Sequence, residues 1–279
     1  MADYTLNDIK LLREKTGAGM LDIKKALTEA EGDIKKAIEI IRIKGLKGIA
    51  KREDRDASEG LVAAEIVESA DKQVGYVVEL NSETDFVAKS ERFIALADKI
   101  LKAVVAADVD SAEKALEAKT EDGTVQDSIA LAAASMGEKI VLSRVKRIEG
   151  KAVTVYLHRT QKDLPPAIAA LVATDDNAKS IAKTIAQHIA AYSPKFLSRE
   201  QVPQDVLDDE TRVAEETARA EGKPDKIIPN IVQGRLQGFY KETVLLDQPL
   251  AIDPKKSVQK FVEEVNGEVT DYIRIRVGN

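Results

Sequence analysis

Two histidines, His158 and His188, are the only imidazoles in 279 residues, and there is no cysteine. Without cysteine the chain has no disulfide, no thiolate metal ligand and no sulfur nucleophile. The histidines lie far apart in sequence, and neither sits in a metal-spacing motif. His188 stands beside Ile185 and Ile189 on a helical pattern and reads as structural. His158 ends a run with strand character. The acidic pairs Asp175-Asp176 and Asp208-Asp209 fall in polar loop or helix contexts and read as caps and solvated faces. A hydrolase built from Glu83, Asp85 and His158 can be written down, but nothing in the sequence brings these groups together. There is neither a GxxxxGK[ST] phosphate loop nor a GxGxxG turn, so the chain does not look like a nucleotide binder. No catalytic residue, metal ligand or cofactor site is assigned.

Two segments say more. In NSETDFVAK, Asn81–Lys89, a strand ends at Leu80 and a helix begins near Asp85. Thr84 suits the N-cap, and Asp85 suits the positive end of a helix dipole. Phe86 then falls in the first turn, on a loop between strand and helix. Large apolar residues are usually inside, so by residue type alone Phe86 belongs in the core. In TGAGMLDIKKAL, Thr16–Leu27, the glycines permit a tight turn between helices. Met20 is a flexible apolar side chain suited to a binding patch, although methionine at helical spacing is more often core. Lys24 and Lys25 read as surface residues able to meet an acidic helix.

These segments need elements to hold them. Residues 5–45 read as three short helices: Leu6, Ile9, Leu11 and Leu12 on the first face, Ile23, Ala26 and Leu27 on the second, and Ile34, Ala37, Ile38 and Ile41 on the third. Gly32 fits the stop of the second helix and Asp33 caps the third. Residues 46–58 are charged, lack an apolar stripe, and read as a linker or exposed helical extension. Next comes a strand–strand–helix pattern: 60–67, 74–80, then a long helix from Phe86 to about Ala106. A second copy starts with strands 140–148 and 152–157, followed by strand 167–173 and a helix over 176–191. Helical material at 111–137 lies between the copies. Two such units suggest two related α+β subdomains, each an antiparallel sheet covered by helices. Residues 198–240 interrupt this with stripes Val206/Val213/Ala220 and Ile228/Ile231/Val232/Leu236/Phe239 around Gly222-Lys223-Pro224, the pattern of a projecting helical hairpin. Pro229 places the start of its second helix later than Pro224. Strands at 243–246 and 269–277, flanking a helix near 257–265, complete the second sheet.

Composition supports this α+β reading. Hydrophobic residues make up 44% and charged residues 32%, a globular balance, and the length suits two or three domains. A net charge of −6 argues against nucleic acid as the main ligand. The charge is uneven. Residues 1–55 hold 13 Lys and Arg against 10 Asp and Glu, an excess of +3 that leaves −9 for the rest. A basic module on an acidic body can steer an acidic protein partner. No apolar run is long enough to span a bilayer, and MADYTLNDIK lacks the basic-then-apolar pattern of a secretory signal. The expected compartment is the cytoplasm.

TGAGMLDIKKAL, preceded by Leu12-Arg13, and NSETDFVAK, followed by Phe93, resemble the two signatures of the elongation factor Ts family. The resemblance covers nearly the whole chain. Leu21 stands where that family usually has a second methionine, and Ile23 and Ser82 where it often has cysteine. Many members continue into a further C-terminal helix that embraces the partner; the sequence ends at Asn279, so that contact is expected to be absent or reduced. The resemblance implies a UBA-like three-helix docking module (1–54), a core subdomain (55–139), a second core subdomain (140–192 with 240–279) and an inserted hairpin for dimerisation (193–239). It implies a non-enzymatic guanine-nucleotide exchange factor whose partner is elongation factor Tu, GDP-bound or nucleotide-free. Thr84, Asp85, Phe86 and Val87 would disturb the Mg²⁺ and phosphate site of that partner. Arg13, Met20, Leu21 and Lys24 would bind it from the N-terminal module, and His158 from the second subdomain. The alternative is a non-catalytic adaptor with a helical docking module.

Overall fold

In the computed structural model the described residues are 4–50, 54–121 and 123–278, with the side chains of 42 and 45–50 left aside. The chain opens with α1 (Leu6–Thr16), α2 (Met20–Glu29) and α3 (Ile34–Ala50). Each boundary has a local cause. Thr5 and Asp8 form a capping box at the start of α1, and Gly17 ends it in the left-handed region at φ +63°. Asp33 Oδ1 accepts from the backbone N–H of Lys35 and Lys36 at 2.8 and 3.1 Å, opening α3. Ile9, Leu12, Ile23, Ala26, Leu27, Ala37 and Ile41 form one small core. Leu6 and Leu11, expected on the inner face of α1, point to solvent, because a helix this short can bury only one stripe. The helix α3 continues to Ala50, so the first part of 46–58 is helical extension. Residues 51–53 of that expected linker lie outside the described residues.

The body begins with β1 (Glu59–Ser69) and β2 (Lys72–Ser82), a continuous antiparallel hairpin. It continues through α4 (Asp85–Ala88), α5 (Glu91–Ala107), α6 (Ala112–Leu116), the short rung β3 (Lys119–Thr120) with β4 (Gly123–Thr124), and α7 (Val125–Met136). The single helix expected from Phe86 to Ala106 is two helices, because Ser90 ends α4 and caps α5, its hydroxyl accepting from Phe93 N. Then come β5 (Ile140–Gly150), β6 (Ala152–His158), β7 (Ile168–Thr174) and α8 (Ala182–Tyr192). The hairpin is α9 (Gln204–Ala220) with α10 (Ile228–Thr243), and the chain finishes with β8 (Pro249–Leu250), β9 (Asp253–Ser257), α11 (Val258–Glu263) and β10 (Val269–Arg276). Residues 243–246 are not the strand expected. They lead into a 3₁₀ turn and touch Phe196 through an isolated bridge at Val244.

The two three-stranded sheets have the orders β1-β2-β5 and β10-β7-β6, all antiparallel. The strand 140–150, read in sequence as the opening of the second copy, is therefore the third strand of the first sheet. The chain changes sheet between Gly150 and Ala152, where the sequence reading put strands 140–148 and 152–157 in one unit.

The sheets stack face to face, sharing a core of Val62, Val77, Ile148, Val153, Ala169, Leu171, Ala173 and Ile275. Their outer faces are covered by helices. The helices α5 and α7 pack on Leu61, Tyr76, Val78, Leu80 and Leu142; α8 and α11 pack on Ile168, Ala170 and Val172. The four layers explain why β2 and β7 are buried along nearly their whole length, with both faces covered. At Gly75 an added Cβ would lie 2.8 Å from Val153 and 3.0 Å from Leu171 of the facing sheet, so close contact there requires glycine.

In the hairpin the seam is Ala214 and Ala218 against Ile228 and Val232. Val213, expected in the seam, is exposed. Small alanines let the two helices approach, so the helix rotates them inward in place of the larger valines. Pro229 sits in the first turn of α10, where its missing N–H costs nothing.

Candidate functional site

The segment Asn81–Lys89 leaves the inner strand β2 and turns sharply into α4. Thr84 is the N-cap in extended conformation, with φ −129° and ψ 154°. Its hydroxyl accepts from Val87 N at 3.4 Å. Ser82 Oγ donates to the Thr84 carbonyl at 3.0 Å. Val87 and Ala88 turn inward onto the core between the first sheet and α5 and α7, which leaves Asp85 and Phe86 on the outside. Phe86 is 73% exposed, whereas Phe93, one turn into α5, is fully buried. Lys89 lies with its ammonium 4.6 Å from the centre of the Phe86 ring and 4.0 Å from Asp85 Oδ2.

The loop is fastened from beneath by the turn after α7. Glu138 Oε2 accepts from Thr84 N at 3.0 Å, and Glu138 Oε1 accepts from the Thr84 hydroxyl at 2.6 Å. In return, Glu83 Oε1 accepts from Lys139 N at 2.6 Å. Arg55 Nη1 reaches Glu83 Oε2 at 3.1 Å, while Lys139 Nζ donates to the Arg55 carbonyl at 2.9 Å. Glu138, Lys139 and Arg55 escaped the sequence reading, and Glu83 was weighed only for a hydrolase. One signal was available: Thr84 has Val87 three residues on, where Thr5 and Thr124 have the acids Asp8 and Asp127.

Arg13, Met20, Leu21 and Lys24 are all exposed on the N-terminal module, Leu21 at 67%. The turn before them is not free. A Cβ on Gly17 would lie 2.1 Å from Ser135 Oγ and 3.1 Å from Arg92 Nη1, so the turn rests on α5 and α7. A cleft of about 260 Å³ runs along this contact, between Glu14 and Lys15 on one side and Arg92, Lys99 and Ser135 on the other. His158 is exposed at the end of β6, in the second sheet, with Nδ1 3.0 Å from Tyr156 Oη. Glu83, Asp85 and His158 are thus engaged by different partners. Among the described residues no group of three or more His, Cys, Asp or Glu could hold a metal ion. No helix among them is long and apolar enough to cross a membrane.

Residues 83–279, starting inside this loop, match the family model described as elongation factor TS. The chain is 56% identical over 280 residues to elongation factor Ts of Beutenbergia cavernae, covering all of both chains. It is 52% identical to that of Micrococcus luteus and 53% identical to that of Streptomyces coelicolor, again covering all of each chain. The class these matches define is that of translation elongation factors, proteins of the elongation stage of protein biosynthesis. Within it, the chain belongs to the elongation factor Ts family.

Proposed function

We propose that the chain is a guanine-nucleotide exchange factor that binds GDP-loaded elongation factor Tu and promotes loss of GDP. The reading is carried by one observation above the others: a bulky aromatic, Phe86, stands 73% exposed beside Asp85 on a fastened turn. An exposed aromatic on a rigid support is the usual form of an interface anchor, because little conformational entropy is lost when it docks. Asp85 and Phe86, flanked by Thr84 and Val87, act as a wedge on the groups of the partner that hold Mg²⁺ and phosphate. Arg13, Met20, Leu21 and Lys24 make a second contact from the N-terminal module, and His158 a third from the second sheet.

The work is differential binding. If the factor lowers the affinity of its partner for GDP, GDP must lower the affinity of the factor by the same ratio. Abundant GTP then completes the cycle by rebinding and releasing the factor. This requires no catalytic residue and no cofactor in this chain, and it takes place in the cytoplasm. The units serving it are the three-helix module, the two sheet–helix halves, with β5 assigned by its pairing to the first, and the hairpin. Val213 and Ile227 leave the hairpin an exposed apolar surface suited to pairing with a second copy.

The test is release of a fluorescent GDP analogue from purified elongation factor Tu. The chain should accelerate release at least a hundred-fold, and Phe86→Ala should lose most of that gain while remaining folded. No acceleration by the unaltered chain would point to an adaptor instead. Turnover of an unrelated substrate would point to an enzyme.

A further inference from the structure

The helix α4 has four residues. So short a helix has no stability of its own, and the direction of Phe86 depends on whatever fixes its first turn. In a self-contained capping box, the residue three after the cap reaches back to the N–H of the cap. The chain does this at Thr5–Asp8 and at Thr124–Asp127. At α4 the corresponding residue is Val87, whose side chain has no acceptor. The acceptor comes instead from Glu138, 54 residues along the chain, at 3.0 Å from Thr84 N.

The second oxygen of Glu138 accepts a hydrogen bond from the Thr84 hydroxyl at 2.6 Å. A hydroxyl has a single proton. With that proton directed at Glu138, the oxygen lone pairs are left to face Val87 N. One carboxylate therefore holds the backbone of the cap and the rotamer that makes it a cap. Gly137 aids this: in the left-handed region at φ +78°, it ends α7 immediately before Glu138.

We propose that Glu138 is the positioning residue of the Asp85–Phe86 wedge, completing the capping box of α4 in trans. It acts through Thr84. The proposal rests on the exchange reading for its functional consequence, but the clamp itself can be read without the partner.

Two measurements test it. The first is stopped-flow release of fluorescent GDP from elongation factor Tu across a range of factor concentrations. Glu138→Ala should lower the maximal rate about ten-fold and move the half-saturating concentration by less than about three-fold, with Tm within a few degrees of the unaltered chain. Glu138→Gln should recover most of the rate, its amide oxygen accepting from Thr84 N and its amide nitrogen donating to the hydroxyl. In a Thr84→Val background, Glu138→Ala should have a smaller effect, since half of its bonding partner is already gone. Should Glu138→Ala fail to fold, Glu138→Asp takes its place, too short to span both bonds, with the same fall expected.

The second measurement is hydrogen exchange at the amides of residues 84–88 in the isolated chain, which should become at least ten-fold faster in Glu138→Ala. A folded Glu138→Ala protein with unaltered maximal rate, or with unaltered exchange at these amides, overturns the proposal. So does a loss of rate that Glu138→Gln does not recover. An unaltered chain that fails to release GDP overturns the exchange reading alone, and the amide exchange then decides the clamp.

Discussion

Phe86 and Phe93 lie on either side of the Ser90 break and have opposite environments, one largely exposed and one at 0%. Phe93→Ala removes a ring from the centre of the first core and should cost about 3–5 kcal/mol. Phe86 is largely exposed, with Lys89 against its ring, and Phe86→Ala should change stability by no more than about 0.5 kcal/mol. Denaturant unfolding of the two variants checks the contrast, and a large loss from Phe86→Ala would place its ring in the core after all. His188 offers a second residue-scale test. It is buried with Nε2 2.8 Å from Gln248 Oε1 and Nδ1 accepting from Ala251 N at 3.1 Å, its ring stacked on Tyr192. Burial holds its pKa below the ordinary 6.5. The unfolded chain therefore takes up the proton first. The stability associated with the neutral ring is complete above pH 6.5 and is lost as pH falls from there toward the folded pKa. In His188→Asn, whose amide oxygen can reach the Nδ1 position, Tm should vary less between pH 7 and pH 5 than in the unaltered chain. The structural reading of His188 was legible from its apolar helix neighbours. The exposure of Phe86 was not legible from residue type, which argues for burial; it came from the family resemblance. Glu138 lay beyond reach, since its partner is 54 residues away and no local periodicity connects them.

Elements whose signals are local were easiest to read. The cap at Asp33 and the break at Gly222 each depend on neighbouring residues. Strand pairing does not, and this is why 140–150 was grouped with the wrong sheet. A short gap between strands 140–148 and 152–157 looks like any hairpin turn in sequence, while the sheet change depends on which faces are already covered. The seam of the α9–α10 hairpin was misread for a related reason: heptad spacing marks Val206, Val213 and Ala220, yet close approach of two helices favours Ala214 and Ala218. Glycines sort by the same criterion. At Gly75 an added methyl meets two side chains of the facing sheet at 3.0 Å or less, so Gly75→Ala should cost roughly 1–3 kcal/mol. Gly238, within α10, has nothing within 4 Å of an added Cβ. Gly238→Ala should stabilise by about 0.5–1 kcal/mol, through helix propensity alone. Thermal unfolding of both variants reads the opposite signs directly, and equal signs would contradict the close approach of the sheets at Gly75.

For the whole molecule, the apolar clusters among the described residues fall in the three-helix module, on the outer face of each sheet, between the two sheets and in the hairpin seam. What no single segment disclosed is that the two sheets lie face to face around a shared core. The hairpin leaves and rejoins the body at one place. Lys195 N donates to the Thr243 carbonyl at 2.7 Å, and Leu245 N donates to the Phe196 carbonyl at 2.8 Å. A short loop joining 203 to 241 should therefore give a folded chain with the near-native circular dichroism of the remaining residues. Collapse of that variant would make the hairpin part of the core.

The sheet order also bears on how the chain is made. The first sheet waits for β5, and the second is joined by β10 at residues 269–276, while Gly278 N donates to the buried Glu79 of the first sheet at 3.0 Å. Pairings between distant parts of a chain form late, since loop closure precedes any gain from contact. A nascent chain still lacking residues 269–278 holds β7 with one neighbour and a bare edge. In a protein that serves translation, the ribosome must deliver almost the whole sequence before either half has its full complement of contacts, and until then the unpaired edge is open to association with other chains.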